Sequence, residues 1–421
     1  MKHCMLVPWI YCVRKFLSLS IIMTAFCLIS CGYNTEQIAV IWTDRIEFAV
    51  YAELFNVISD DSKVVVVYKE NPAQSFSQIN DINTPDIIIG NWLANKNMQK
   101  YFMPLDYMFD DHLVSRTQFY SQLLQSGRTD DKQYLLPVSF NLGAVIFSID
   151  NSHMIEENYM LSPNQIRDIA SSFNTEKDGI YTSMGFAPSW QPEFLYDLAK
   201  LNGADFSQNI ASPNRFDWDS QALDDTVAYI RDWTSSVNTS STAESDYQFK
   251  YLSGSLLKNI ENNSLFAYVP SNVLFTVPTE KAENIDFRWI QQDDMLVMQD
   301  EVISMGLYKK SKNNIAAEEF IIWFMNEQNQ DAMLHWQEDM NLYTKTFGIS
   351  NGFSSIRSVN ERIFPLMYPA LWGNVPPAEF IESSNLLLPT WPTIKASTVL
   401  PYLLDAVHTS HEDIPSLTKG N

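Results

Sequence analysis

Cysteine is almost missing from this sequence. The 421 residues include four, Cys4, Cys12, Cys27 and Cys31, and none after position 31, so no disulfide framework holds the bulk of the chain together. Glycine is scarce, 13 in all, and no pair has the spacing of a phosphate-cradling or dinucleotide-binding loop. Gly-x-Ser-x-Gly is absent, and Ser255-Leu256-Leu257-Lys258 matches Ser-x-x-Lys without the companion motifs of acyl-transfer enzymes. Basic charge is short, with 28 Lys and Arg against 50 Asp and Glu, a net of -22, which makes nucleic acid a poor partner. After residue 30 no stretch is continuously apolar for about 18 residues, so no second membrane span is expected.

Metal chemistry finds little support. Asn174-x-Glu176-x-Asp178-Gly179 mimics part of a calcium loop, but its twelfth position is Gly185 rather than an acid. His408 and His411 with Glu412 and Asp413 read as a solvated terminus. No metal, no cofactor and no covalent chemistry is expected, although two carboxylates suffice for a glycoside hydrolase and the sequence alone cannot pair them.

What is present begins with an export signal. Arg14 and Lys15 flank an apolar run from Phe16 to Ser30, and Leu28-Ile29-Ser30-Cys31 resembles the lipobox of bacterial lipoproteins. That resemblance implies cleavage before Cys31 and acylation of its thiol and new amino group, with each buried methylene adding about 0.8 kcal/mol of membrane affinity. The alternatives are an uncleaved anchor or an ordinary secretory signal. Against both, the mature chain would keep one cysteine, at its first position, and lipid attachment gives that cysteine a use. The expected location is extracytoplasmic, on the periplasmic face or cell surface of a bacterial membrane, anchored through lipid on Cys31. Loss of residues 1–30 removes Lys2, Arg14 and Lys15 and no acid, moving the formal charge from -22 to -25. The remaining 391 residues exceed what one core usually serves, so two lobes are expected.

Periodicity supplies the elements. Ile38 to Trp42 reads as a buried strand, and Phe48, Tyr51, Ala52, Phe55 and Ile58 line one face of a helix. Val64–Tyr68 and Asp86–Gly90 follow as strands, which implies a mainly parallel sheet covered on both faces. In such sheets ligands bind beyond the carboxyl ends of the strands, here Trp42-Thr43-Asp44-Arg45 and Gly90-Asn91-Trp92. Pro137 to Phe147 reads as extended, and helices are expected at Pro163, at Phe194 to Leu201, behind Asp219 and Ser220, and from Asn314 to Phe324 with an Asn cap. Trp233, Trp289, Trp323 and Trp336 read as core.

Several stretches in this order resemble the extracellular solute-binding proteins of ABC importers, in the large family (family 1) that includes the maltose- and maltodextrin-binding proteins. They are IWTDRIEFAVYAELFN, PDIIIGNW, MPLDYMF, YLLPVSFNLGAVIFSID, MGFAPSWQPEFLYDLAKLNGADF, AAEEFIIWFMNEQNQDAML and NLLLPTWPTIKASTVLPYLLDAV. The resemblance implies an α/β, two-lobed periplasmic-binding-protein-like fold of type II, with hinge crossings between lobes and a ligand trapped by closure. The division it suggests is signal 1–30, tether 31–37, first lobe 38–140 and 301–350, second lobe 141–300 and 351–409, and tail 410–421. The partners implied are a small polar solute, a sugar or oligosaccharide, and the membrane subunits of an ABC permease. A lipoprotein of the same fold acting as an adhesin or sensor is the alternative.

By the same resemblance Asp44, Arg45, Glu47, Asn91, Trp92, Phe140, Asn141, Trp190 and Trp391 are the candidate ligand contacts. Six of them have a plainer reading: capping or surface for the first three, hinge or packing for Phe140 and Asn141, packing between prolines for Trp391. Phe266 to Asn272 lacks the Trp that the family often carries there, which leaves the ligand class open.

Overall fold

The computed structural model describes residues 37–80, 82–155, 158–209, 215–252, 254–339, 346–382, 387–408 and 417. The expected signal, Cys31, the tether except residue 37, and the tail except residue 417 lie outside the described residues.

The strands of the two main sheets are, in chain order, β1 (Gln37–Thr43), β2 (Ser62–Tyr68), β3 (Ile87–Gly90), β4 (Leu136–Phe140), β5 (Gly143–Ser148), β6 (Met160–Leu161), β7 (Ala267–Pro270), β8 (Ile285–Gln292), β9 (Met295–Leu296), β10 (Ile303–Leu307) and β11 (Phe353–Ser354). The helices that matter here are α1 (Glu47–Ile58), α2 (Pro192–Leu201), α3 (Ser220–Val237), α4 (Asn314–Phe324), α5 (Glu327–Asp339) and α6 (Leu400–His408). One sheet runs β11-β4-β10-β3-β1-β2; the other runs β7-β5-β8-β9 with β6 beside β8. Each sheet is the centre of a lobe, so the α/β two-lobed architecture expected from the sequence is present.

Both sheets are mixed rather than mainly parallel. β1, β2 and β3 pair in parallel, as strands joined through helices do, but β10 enters antiparallel between β3 and β4 after returning from the other lobe. The extended run from Pro137 is two strands, one per sheet, divided at Asn141-Leu142. Segment 351–409 also divides. Its strand β11 pairs with β4 in the first sheet, whereas α6 packs on α2 and α3 in the second lobe.

The apolar stripes explain why these elements stay together. α4 buries Ala316, Ala317, Phe320, Ile321 and Phe324, and α1 buries Phe48, Tyr51, Ala52, Leu54 and Phe55 against it, with Phe48 stacked on Phe324 at 5.2 Å. Burying each large side chain contributes about 1.5–3 kcal/mol. Ile58, expected on that face, is exposed as the last residue of α1, and Leu54 is buried instead.

The hinge is knitted around Asn141. Its Nδ2 donates to Asn351 O at 2.9 Å, its Oδ1 accepts from Ser271 Oγ at 2.7 Å, and its carbonyl accepts from Gln299 N at 2.8 Å. Gly143 follows because the segments pass too closely for a side chain, and a Cβ there would lie 2.9 Å from Asp197 Oδ2. Beside these crossings Phe275 of the second lobe stacks on Phe347 of the first, with centroids 4.6 Å apart.

Candidate ligand-binding cleft

The carboxyl edge of the first sheet is where strand-end loops meet the crossings. Thr43 lies opposite Ile89 in a parallel pair, so Asp44-Arg45 and Asn91-Trp92 leave the sheet side by side. Ser304 lies opposite Gly90, which brings Glu301 and Val302 to the same edge. Phe353 lies opposite Phe140, which brings Asn141 and Asn351 there.

The first turn is set locally. Thr43 Oγ1 accepts from Arg45 N at 3.0 Å, a hydroxyl-anchored turn that tips Asp44 and Arg45 out of the strand. Ile46 then opens α1 without a side-chain cap, and 60% of its surface is exposed. Phe48 N and Ala49 N donate to the carbonyls of Arg45 and Ile46, and Glu47 suits the positive end of the helix dipole. Arg45 Nε lies 3.2 Å from Asp44 Oδ1. Burial pushes the Asp44 carboxyl above its ordinary value against the pull of Arg45. The buried Glu47 carboxyl is also raised by desolvation, while its own backbone N–H, Arg45 and the Thr346 hydroxyl favour the charged form.

The facing wall was not among the sequence candidates. Lys395 Nζ lies 2.5 Å from Glu193 Oε2 and 3.7 Å from Asp300 Oδ2, and Lys200 Nζ lies 3.0 Å from Asp300 Oδ1. Burial would raise Asp300, but the two ammonium groups outweigh it and hold the carboxyl at about 2. Asp197, fully enclosed one turn before Lys200, goes the other way: burial pushes it up to about 6, although Lys200 and a 2.5 Å hydrogen bond from Tyr268 oppose the shift. Glu301 stands at the same edge, three residues before Ser304. Its carboxyl is raised by desolvation and lies in the field of Lys395, Asp300, Arg45 and Glu193. First lobe, crossing and second lobe thus share one electrostatic environment. A cavity of about 310 Å³ opens behind it, lined in part by Lys200, Met298, Gln299 and Asp300.

Of the sequence candidates, Asp44, Arg45, Glu47 and Asn91 meet at this edge. Trp92 stands there with a left-handed backbone (φ 60°), unusual for a bulky residue, held by Asn95 Nδ2 donating to its carbonyl at 2.7 Å. The residue is only 8% exposed and belongs to the same buried apolar cluster as Trp42. Four expectations need correction. Phe140 is fully buried, edge-on to Tyr120 and packed on Phe353, so it cannot reach a solute. The Asn141 amide is engaged in the hinge at both ends. Trp190 stacks on Tyr247 at 5.8 Å and donates Nε1 to Glu244 O, so its platform is already covered. Trp391 is fully buried among Tyr196, Phe206 and Phe216, with Nε1 donating to Asp300 Oδ2 at 2.9 Å.

Carboxylates, a guanidinium and an ammonium converge here, a set that can hydrogen-bond the rim of a hydroxyl-rich solute. Among the described residues no group of three His, Cys, Asp or Glu is placed to hold a metal, and no helix is long and apolar enough to cross a membrane.

No protein-family model and no curated protein sequence matches the chain. Solved structures do. The sugar-binding protein MalE from Xanthomonas citri superposes with a TM-score of 0.65 at 13% identity, covering 89% of this chain and 93% of that one. An extracellular solute-binding protein family 1 member from Alicyclobacillus acidocaldarius gives 0.62 at 15% identity, covering 88% and 93%. The cyclic alpha-maltosyl-1,6-maltose binding protein from Arthrobacter globiformis gives 0.60 at 15% identity, again covering 88% and 93%. The chain has the two-lobed α/β fold of the extracellular solute-binding proteins related to maltose- and maltodextrin-binding proteins.

Proposed function

We propose that this protein is an extracytoplasmic solute receptor that closes on a small polar solute, a sugar or oligosaccharide, in the cleft between its lobes. It is tethered through acylated Cys31 and delivers the solute to an ABC permease. The observation that carries the reading is that Arg45, paired with Asp44 at the edge of the first sheet, acts on Glu301 of a crossing together with Glu193 and Lys395, which pair with each other in the second lobe. Two of the solved structures of this fold are sugar-binding by name, which supports the choice of solute class. Hinge closure brings the two walls onto the ligand and excludes water, which strengthens each charge-assisted hydrogen bond. No covalent step is part of this function.

A thermal-shift screen of the purified protein against sugars, oligosaccharides, polyols, amino acids and peptides tests it. A ligand at 100 times its Kd stabilises by about 2.7 kcal/mol. We expect a saturable shift with one sugar class. A folded protein that shifts with no member of the panel, or only with amino acids or peptides, overturns the sugar assignment. For the anchor, mass spectrometry of the membrane-extracted protein should show an acylated Cys31, and Cys31→Ser should move the protein out of the membrane fraction.

A further inference from the structure

Lysines gather at the end of the first sheet that points away from the cleft. β1 and β3 run parallel with their carboxyl ends at Asp44 and Asn91, so their amino ends form the opposite edge. β10 runs the other way and ends there, with Leu307 opposite Ile87. Asp86 ties this edge together. Its carboxylate accepts from Val40 N of β1 and from Ser311, Lys312 and Asn313, and its carbonyl accepts from Tyr308 N at 2.8 Å. Lys309 N then donates to Tyr101 O at 2.9 Å. Exposed Lys100, Lys309, Lys310 and Lys312 are thereby set on one edge of a chain whose formal charge is -22.

Neutral groups hold two of these lysines side by side. Lys309 Nζ donates to Lys100 O at 2.6 Å, and the ammonium groups of Lys100 and Lys309 stand 5.2 and 5.9 Å from the centre of the Tyr101 ring. Exposed Asp60 and Asp61 stand at the start of β2, two strands away from β3, so the positive charge lies on the β3 and β10 side of the edge. Apolar side chains share it: Ile38 and Ile315 are exposed, and Ile82 is 98% exposed. The turn that carries Ile82 is built. Asn80 and Asn83 exchange backbone hydrogen bonds of 3.2 and 3.3 Å, and Asn80 Oδ1 accepts from Ile82 N at 3.0 Å. A merely solvated edge has no use for a bare isoleucine on a fixed turn, whereas apolar residues among lysines are how a protein face meets a bilayer. The chain also enters here. β1 begins at Gln37, and the six steps from Cys31 to Gln37 span at most about 21 Å.

Resting on the acylated Cys31 of the function above, we propose that this edge lies on an anionic bilayer surface, with the four lysines over lipid phosphates and Ile82 in the headgroup layer. An acid next to Ile82 in the sequence, Asp81, suits that depth and not the hydrocarbon. The cleft then faces away from the membrane, open to solute.

A nitroxide on Ile82→Cys in the acylated protein tests this, through its collisions with a water-soluble nickel complex. The protein is reconstituted into vesicles of phosphatidylglycerol with phosphatidylethanolamine, or of phosphatidylcholine alone. We expect collisions to fall on the anionic vesicles only, and to recover at about 1 M salt, where the Debye length is about 3 Å. A label at Phe249→Cys, on an exposed residue of the second lobe, should stay accessible on both. Lys309→Gln and Lys310→Gln should each lower the ratio of docked to free protein about 5-fold. All four positions are exposed, so the unfolding midpoints should match wild type. Equal collisions on the two lipids, shielding that salt does not reverse, or an unchanged ratio in both lysine variants overturns the contact and leaves the anchor and the receptor function standing. The mass of the Cys31 peptide reads the anchor separately: a protein without acyl chains overturns the anchor and this contact with it.

Discussion

At the scale of single residues, burial divides the tryptophans that a sequence offers as sugar platforms. Trp391 and Trp190 have their rings covered and their Nε1 groups bonded, and so they are stability residues. Trp391→Ala and Trp190→Ala should each cost about 3–5 kcal/mol in denaturant unfolding, the range for deleting a large buried aromatic. That loss should appear in the free protein, before any ligand is added. The sequence made Asp44, Arg45 and Asn91 legible because strand patterns end just before them. It could not separate a covered ring from an open one, since both stand in loops beside proline. Nor could it reveal Glu193, Glu301 and Lys395, which lie on elements remote along the chain and converge only through the crossings.

Asp86 shows what decides matters at the scale of elements. It sits just before β3, and its carboxylate accepts from Val40 N at 2.8 Å, Ser311 Oγ at 2.6 Å, Lys312 N at 2.8 Å and Asn313 N at 3.0 Å. Asn313 Nδ2 also donates to it, at 3.2 Å, and this explains why Asn313 gives α4 no side-chain cap although the sequence pattern suggested an Asn cap. Helix, loop and two strands are joined through one carboxylate. Burial alone would raise its pKa, but these hydrogen bonds win and hold it below the ordinary 3.8. Its stabilising contribution is therefore present above that ordinary value and is lost as the pH falls through the folded one. Asp86→Ala should cost about 3 kcal/mol at neutral pH, because several buried donors lose their acceptor, and the difference from wild type should shrink as unfolding is followed into acid.

For the whole molecule, the two lobes were legible in chain length and in the strand–helix alternation. The mixed sheets were not, because β10 and β11 pair with strands far earlier in the chain. Hinge and cleft also share a titrating group. Asp197, on α2 against the crossing at Gly143, has its pKa raised to about 6 by burial, so folding favours its protonated form. This contribution is complete below the ordinary value of 3.8 and is lost as the pH rises through about 6. Asp300, held at about 2, stays charged throughout that window. The unfolding midpoint of wild type should accordingly fall more steeply between about pH 4 and 6 than that of Asp197→Asn, and identical slopes would remove Asp197 from the balance.

On this reading a sugar binds at the carboxyl edge of the first sheet, where Asp44 and Glu301 stand near Glu193 and Lys395 of the second lobe. This is tested most directly by calorimetric titration of the sugar that stabilises the wild type into Asp44→Ala and Glu301→Gln. Loss of a charge-assisted hydrogen bond, about 1.5–3 kcal/mol, predicts affinity weakened about 10- to 150-fold in each variant with the unfolding midpoint of the free protein unchanged. Wild-type affinity in both folded variants would contradict the account and move the binding site away from this edge.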